Sequence, residues 1–223
     1  MDVVTDFVLI GARSYVNSST LLSEARKALA RHLVPEARWH HPVVDAQFHG
    51  EVLSNGVFRF FAGTQAPTAE ATAGAKTVMR FQDRNWAYTA VFLEDTGRPV
   101  ERRLERRRGV GDLQLAGDYS GRCLIDVGTA DDLFANAIEA NKQIHLLTVS
   151  AKPGPFRVVN LFMRRVPLQP PVSNQEGSCW LPLVIRNIGV RRRDDSIATL
   201  SAVSLPDTFV KPFEVAFALF EQP

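Results

Sequence analysis

Glu139 and Lys142 stand three residues apart in a stretch of helical spacing, so they share one helix face. A carboxylate and an ammonium so placed could act as a general base and as a partner for a developing oxyanion. On a solvated face the same pair would be an ordinary ion pair worth about 0.2–0.5 kcal/mol. The flanking apolar residues Ile138 and Ala140 leave both readings open.

A second constellation runs His40-His41-Pro42-Val43-Val44-Asp45-Ala46-Gln47-Phe48-His49-Gly50. Read as a strand, it sets His41, Val43, Asp45, Gln47 and His49 on one face and Val44, Ala46 and Phe48 on the other. Residues four apart on a strand are separated by roughly 13 Å. First-row metals hold ligands near about 2 Å, which disfavours a metal site here. What remains is a dehydratase-like pair, Asp45 and His49, acting with groups from elsewhere in the chain, or a plain exposed polar strand face.

The run from Arg98 to Gly109 holds six arginines and two glutamates. Arg102, Arg103 and Arg106 could grip phosphate through paired N–H donors. Coenzyme A, an acidic carrier protein or nucleic acid would each suit such a cluster. No aromatic residues interleave with it to stack on bases, which argues against nucleic acid. Charges of this kind also protect a sheet edge from pairing with other chains. A second cluster, Arg191-Arg192-Arg193, is blunted by Asp194 and Asp195. Cys123 and Cys179 lie in apolar strand contexts and read as buried and inert. There is no Gly-rich phosphate loop, nucleophile elbow or paired-cysteine zinc spacing.

These groups need elements to hold them. The chain has 223 residues, 45% hydrophobic and 22% charged, which is ordinary globular composition. A net charge of +2 does not by itself mark a nucleic-acid binder, and two cysteines make no disulfide framework. The opening residues MDVVTDFVLIGARSY read as a first strand rather than a secretion leader. No apolar stretch approaches the roughly 20 residues of a membrane span, so a soluble cytoplasmic protein is expected.

Residues 6–10 read as a buried strand. Ser18, Ser19 and Thr20 offer caps for a helix whose residues Leu21, Leu22, Ala25, Ala28, Leu29 and Leu33 recur at three- and four-residue spacing, ending at Pro35. A β-rich region follows, with Asn55-Gly56 as a hairpin turn and strands at 77–81, 86–93, 112–117 and 122–127. A second helix spans 129–145, capped by Thr129 with Asp131 and Asp132 in its first turn. Leu133, Phe134, Ala137, Ile138, Ala140, Ile144 and His145 line its broad inner face. Strands are expected at 146–151, 156–166, 178–190, 197–205 and 213–220. The segments 64–75 and 167–177, rich in small residues or proline, are expected to be mobile and the first cut by protease.

The plan is α+β, a strand, helix and antiparallel-sheet unit given twice in tandem. Shifting the chain by 115 residues lays Leu9-Ile10 on Leu124-Ile125, Glu24-Ala25-x-Lys27 on Glu139-Ala140-x-Lys142, and Val43-Val44 on Val158-Val159. Duplication is one reading of this and chance similarity between short amphipathic helices is the other. Duplication gives halves 1–115 and 116–223 within one compact module.

That arrangement resembles a double hotdog, in which each half wraps a curved sheet around one long helix. The helices also resemble those of the A-factor synthase-like hotdog proteins of bacterial signal biosynthesis, which carry Glu-Ala-x-Arg-Gln. Here the motif stands as Glu139-Ala140-Asn141-Lys142-Gln143 in the second helix and Glu24-Ala25-Arg26-Lys27-Ala28 in the first. Lys142 replaces the arginine, and Ala28 replaces the glutamine in the first half. The resemblance implies an enzyme of the dehydratase, thioesterase or condensing type, working on an acyl thioester in specialised-metabolite or signal biosynthesis. Glu139 would be its base, with Lys142, Gln143 and the Asp45–His49 strand face nearby. It implies no resident cofactor or metal. Coenzyme A or a carrier-protein thioester would be the substrate, with an acyl or aromatic group as cargo. The alternative is a non-catalytic protein of the same fold that binds a small ligand or an acidic carrier protein. Both readings are compatible with an oligomer, and neither involves a membrane.

Overall fold

A computed structural model describes the chain except for residues 11–13, 65, 66, 106–108, 150–155, 170–178, 194, 195, 207, 209, 222 and 223. The chain divides into two compact units, Met1–Arg107 and Arg108–Pro223.

The first unit contains β1 (Asp2–Thr5), β2 (Leu9–Ile10), α1 (Ser18–His32), a 3-10 turn (Glu36–Arg38), β3 (Val43–Phe48), β4 (Ser54–Ala62), β5 (Thr77–Gln82), β6 (Ala87–Pro99) and β7 (Arg103–Leu104). Its antiparallel sheet runs β1-β4-β6-β5-β3, and β2 and β7 form a short parallel pair. Period-two alternation builds the core. Phe60, Ala90, Met79 and Ala46 fall in one cross-strand row, and each is at most 4% exposed. Phe7 meets Phe92 edge-on at 5.1 Å between ring centroids. In α1 the expected residues Leu21, Leu22, Ala25, Ala28 and Leu29 are all buried.

Three local expectations for this unit change. The cap of α1 is Asn17, whose Oδ1 accepts from Thr20 N at 2.8 Å, one residue ahead of the hydroxyls expected there. Asn55-Gly56 is no hairpin turn but lies inside β4. Asn55 Oδ1 accepts from Phe7 N at 2.6 Å, and a Cβ on Gly56 would sit 2.2 Å from Leu93 O. The glycine permits a close backbone approach rather than a reversal. Of the strand expected at 6–10, only Leu9–Ile10 pairs, although Phe7 is buried. In the segment 64–75, residues 65 and 66 lie outside the described residues. The remainder forms turns closed by bonds such as Thr72 N to Thr68 O at 3.2 Å.

The second unit contains β8 (Gln114–Gly117), β9 (Ser120–Asp126), α2 (Ala130–Val149), β10 (Phe156–Pro167), β11 (Trp180–Arg192), β12 (Ser196–Ser204) and β13 (Phe213–Glu221). Its antiparallel sheet runs β10-β13-β12-β11-β9-β8. Thr129 caps α2 as expected, its Oγ1 accepting from Asp132 N at 3.0 Å while its hydroxyl donates to Asp132 Oδ2 at 2.6 Å. The strand expected at 146–151 is overturned as far as Val149, because the helix continues through it. Residues 146–149 keep the helical spacing: Val149 is buried, and Thr148 Oγ1 bonds back to Ile144 O at 2.9 Å. Pro167 belongs to β10, and most of the segment 167–177 lies outside the described residues.

Contacts at its two ends set the course of α2. Asn136 Nδ2 donates to Asp126 O at 2.8 Å, and Thr148 Oγ1 accepts from Tyr119 N at 3.1 Å. The helix therefore runs along β9 in the opposite direction. Gly121 lets it approach: a Cβ there would meet Ile144 Cδ1 at 2.9 Å. Among the described residues no helix is long and apolar enough to cross a membrane.

Candidate functional site

Successive helix positions on α2 carry polar groups into opposite sides of a buried helix. Glu139 is 9% exposed, with Ala140 fully buried beside it. Gln143, one turn on, donates Nε2–H to Glu139 Oε1 at 2.9 Å. The four-residue spacing sets these two side chains in one row, and an amide donor is a suitable partner for a carboxylate held away from water. Lys142 is half-buried on the adjoining face. Together they form a sheltered carboxylate with its orienting amide, and they contain a cation on the same helix. That set can take up and return a proton.

Turned away from Glu139 on the helix are Asn141 and His145, both fully buried. His145 Nδ1 lies 2.7 Å from the carbonyl of Asn141, and Nε2 lies 2.6 Å from Thr199 Oγ1. A carbonyl only accepts, so Nδ1 carries the proton. Burial favours the neutral ring, in which Nε2 accepts from the Thr199 hydroxyl. Burial pushes the His145 pKa below the ordinary histidine value, and the bond to Asn141 partly opposes that shift. The ring packs between Tyr119 at 5.2 Å and Phe217 at 5.3 Å. Burial raises the Tyr119 hydroxyl, while nearby Arg192 pulls it back. In the sequence His145 reads only as part of the apolar helix face. The signal that would have singled it out was its pairing with Asn141 four residues earlier, two hydrogen-bonding side chains on a face otherwise meant for the core.

The remaining candidates fall elsewhere. Asp45, Gln47 and His49 in the first unit are exposed, while the alternating Val44 and Ala46 are buried and Phe48 is half-buried. Asp45 lies opposite Arg80 across the β3–β5 pair. His41 stands outside the strand with φ at 73°, so it does not extend the row. The structure thus brings Glu139 and Gln143 together, and it leaves Asp45 on the exposed side of β3 and His49 exposed one residue beyond it, both in the other unit. Arg102 and Arg103 are exposed, and the Arg102 carbonyl accepts from Leu9 N at 2.9 Å. Arg106 lies outside the described residues. Arg98 pairs with Asp6. Cys123 is buried, which pushes its thiol up to about 11, whereas Cys179 is half-buried. Among the described residues no cluster of three or more His, Cys, Asp or Glu side chains could hold a metal ion.

No protein-family model matches the sequence, and no curated protein does either. Solved structures do match by shape. A Lactobacillus plantarum protein described as an oleoyl thioesterase superposes with a TM-score of 0.50 and 10% identity, covering 100% of this chain and 97% of its own. The dehydratase domain of RzxB from Pseudomonas fluorescens superposes with a TM-score of 0.48 and 11% identity, covering 100% of this chain and 94% of that domain. The likeness to the Lactobacillus protein is one of fold. The chain is α+β and double-hotdog-like.

Proposed function

We propose that this chain is an enzyme acting on an acyl thioester, with Glu139 as its proton-transfer group. The observation that carries the proposal is the burial of the Glu139 carboxylate against the Gln143 amide, on the helix of a hotdog-like unit. Keeping a carboxylate from water is costly, and such groups collect at functional sites. The likeness in fold to a protein described as a thioesterase agrees with this substrate class.

In this reading Gln143 holds Glu139 in one rotamer, and Lys142 answers negative charge that develops on the thioester carbonyl. Glu139 removes a proton from water, as a thioesterase requires, or from the carbon beside the carbonyl, as a dehydratase requires. Arg102, Arg103 and Arg106 meet the phosphates of coenzyme A or of a carrier-protein arm. The acyl cargo belongs to a specialised metabolite or signal. The two units descend from a tandem duplication in which only the second kept the glutamine of the helix motif.

The test is a panel of acyl-coenzyme A substrates, saturated, 3-hydroxy and enoyl, assayed for thiol release and for hydration. Glu139→Gln should lower turnover by about 10²-fold or more while leaving the fold intact. Turnover by the wild type that Glu139→Gln leaves unchanged would end the assignment.

A further inference from the structure

Asn141 and Ser201 are both fully buried. Among the described residues, neither amide atom of Asn141 and not the hydroxyl of Ser201 has a hydrogen-bond partner. Leaving such groups unanswered in an interior is unfavourable, and native structures almost always satisfy them. The two are not scattered. The His145–Thr199 contact ties α2 to β12. Asn141 lies one turn before His145 on the same helix face, and Ser201 lies two residues beyond Thr199 on the same buried strand face. β9 and β12 both run antiparallel to β11, so they are parallel to each other. The helix runs against β9 and therefore against β12. A step of one turn along α2 covers about 6 Å. A step of two residues along a strand covers a little more, about 6.7 Å. Asn141 and Ser201 therefore face the same stretch of the unit's interior, next to the neutral His145–Thr199 pair.

We infer that the space between α2 and β12 is a binding site for one small uncharged molecule, water in the resting protein, held by the Asn141 amide and the Ser201 hydroxyl. The chemistry of the lining selects the ligand. The Asn141 side chain offers two N–H donors and one acceptor, and each hydroxyl offers one donor and accepts as well. Burial shifts Tyr119, which packs on His145, toward its neutral form, and it does the same for His145 itself. Asn141, Ser201, Thr199 and the His145 ring favoured by burial bring no formal charge of their own, and among the described residues Arg192 is the cation acting on Tyr119. A molecule that donates and accepts at once answers Asn141 and Ser201. Buried waters occupy such positions, making about three bonds to polar groups that lack protein partners. The bound molecule completes a polar seam of His145, Thr199, Asn141 and Ser201 that fixes the rotation of α2 about its axis. The inference stands apart from the enzymatic reading, because it depends on no reaction.

A high-resolution crystal structure of the full chain tests it, together with water–protein nuclear Overhauser spectra of the Asn141 side-chain amide. Expected is one density peak at about 2.7–3.2 Å from both an Asn141 amide atom and Ser201 Oγ. The amide protons should also show a cross-peak to long-lived water. In the Asn141→Leu/Ser201→Ala double variant the peak should vanish while the His145–Thr199 contact stays. If that variant does not fold, the wild-type density and spectra decide alone. A direct Asn141–Ser201 hydrogen bond, an anion in the density, or a dry site with no water cross-peak would each overturn the inference.

Discussion

The helices α1 and α2 carry the same Glu-Ala-x-Lys sequence and use it differently. In α1, Glu24 pairs with Lys27 at 2.9 Å, both substantially solvent-accessible, and the next position is the buried Ala28. In α2, Glu139 is buried and accepts from Gln143, which stands where α1 has Ala28. Helical spacing brings both partners within reach of each glutamate, so the motif alone does not choose between them. Exposure does. Where water solvates the carboxylate, a lysine suffices and adds little. Where the protein covers it, an amide one turn away supplies a neutral hydrogen-bond donor. The difference between a surface ion pair and a candidate catalytic group is thus one side chain, glutamine for alanine, and the cover over the helix.

Substitutions can break or sharpen this contrast. The largest stability difference should come from truncating the two glutamates. Glu139→Ala leaves the Gln143 amide without its acceptor and should cost about 1–3 kcal/mol in urea unfolding. Glu24→Ala removes a solvated pair and should change stability by no more than about 0.5 kcal/mol. Equal losses would erase the distinction.

Next in size is a pH effect confined to α2. The folded-state pKa of His145 lies below the ordinary histidine value. Its contribution to stability is therefore fully present above that value. It is lost as pH falls below it, because the unfolded chain binds a proton that the folded ring resists. The slope from this group is at most about 1.4 kcal/mol per pH unit. Unfolding measured from pH 7.5 to 5.5, with both pH values chosen by the experimenter, should weaken the wild type more than His145→Gln. Parallel curves would mean that His145 is not held neutral.

The caps should behave alike. Asn17→Ala and Thr129→Ala should each cost about 1 kcal/mol, since each removes an acceptor for a first-turn N–H. Similar losses would show that the helices differ in their polar middle rather than in how they begin. The smallest effect is expected at Lys27→Ala, within about 0.5 kcal/mol.

The sequence made the helix faces and most strands legible because burial there follows simple periods. Leu21, Ala25 and Leu29 recur as a helix requires, and Val44, Ala46 and Met79 alternate as a strand requires. The places where it misled are those where tertiary contact decides. Asn55-Gly56 has the chemistry of a turn, but its glycine serves a close approach to Leu93 in β6, two strands further along the chain and beyond any local signal. Residues 146–149 are β-prone in type, yet Ile144 and Thr148 hold that stretch in the helix through Gly121 and Tyr119. For the site, spacing identified Glu139 and Lys142 but could not say which side of α2 was covered. Of the polar set, Asn141 and His145 stand one turn apart and left a faint signal, whereas Thr199 lies 54 residues from His145 and left none. Asp45 and His49 read as a secondary set beside Glu139 or as a plain polar strand face, and in the structure both are exposed.

The central claim is that burial turned one of two like glutamates into a proton-transfer group. Turnover of acyl-coenzyme A thioesters by Glu139→Gln and Glu24→Gln, measured side by side with folding checked by circular dichroism, tests it most directly. The account predicts a loss of about 10²-fold or more for Glu139→Gln and wild-type turnover for Glu24→Gln. Wild-type turnover in both variants, or an equal loss in both, would contradict it.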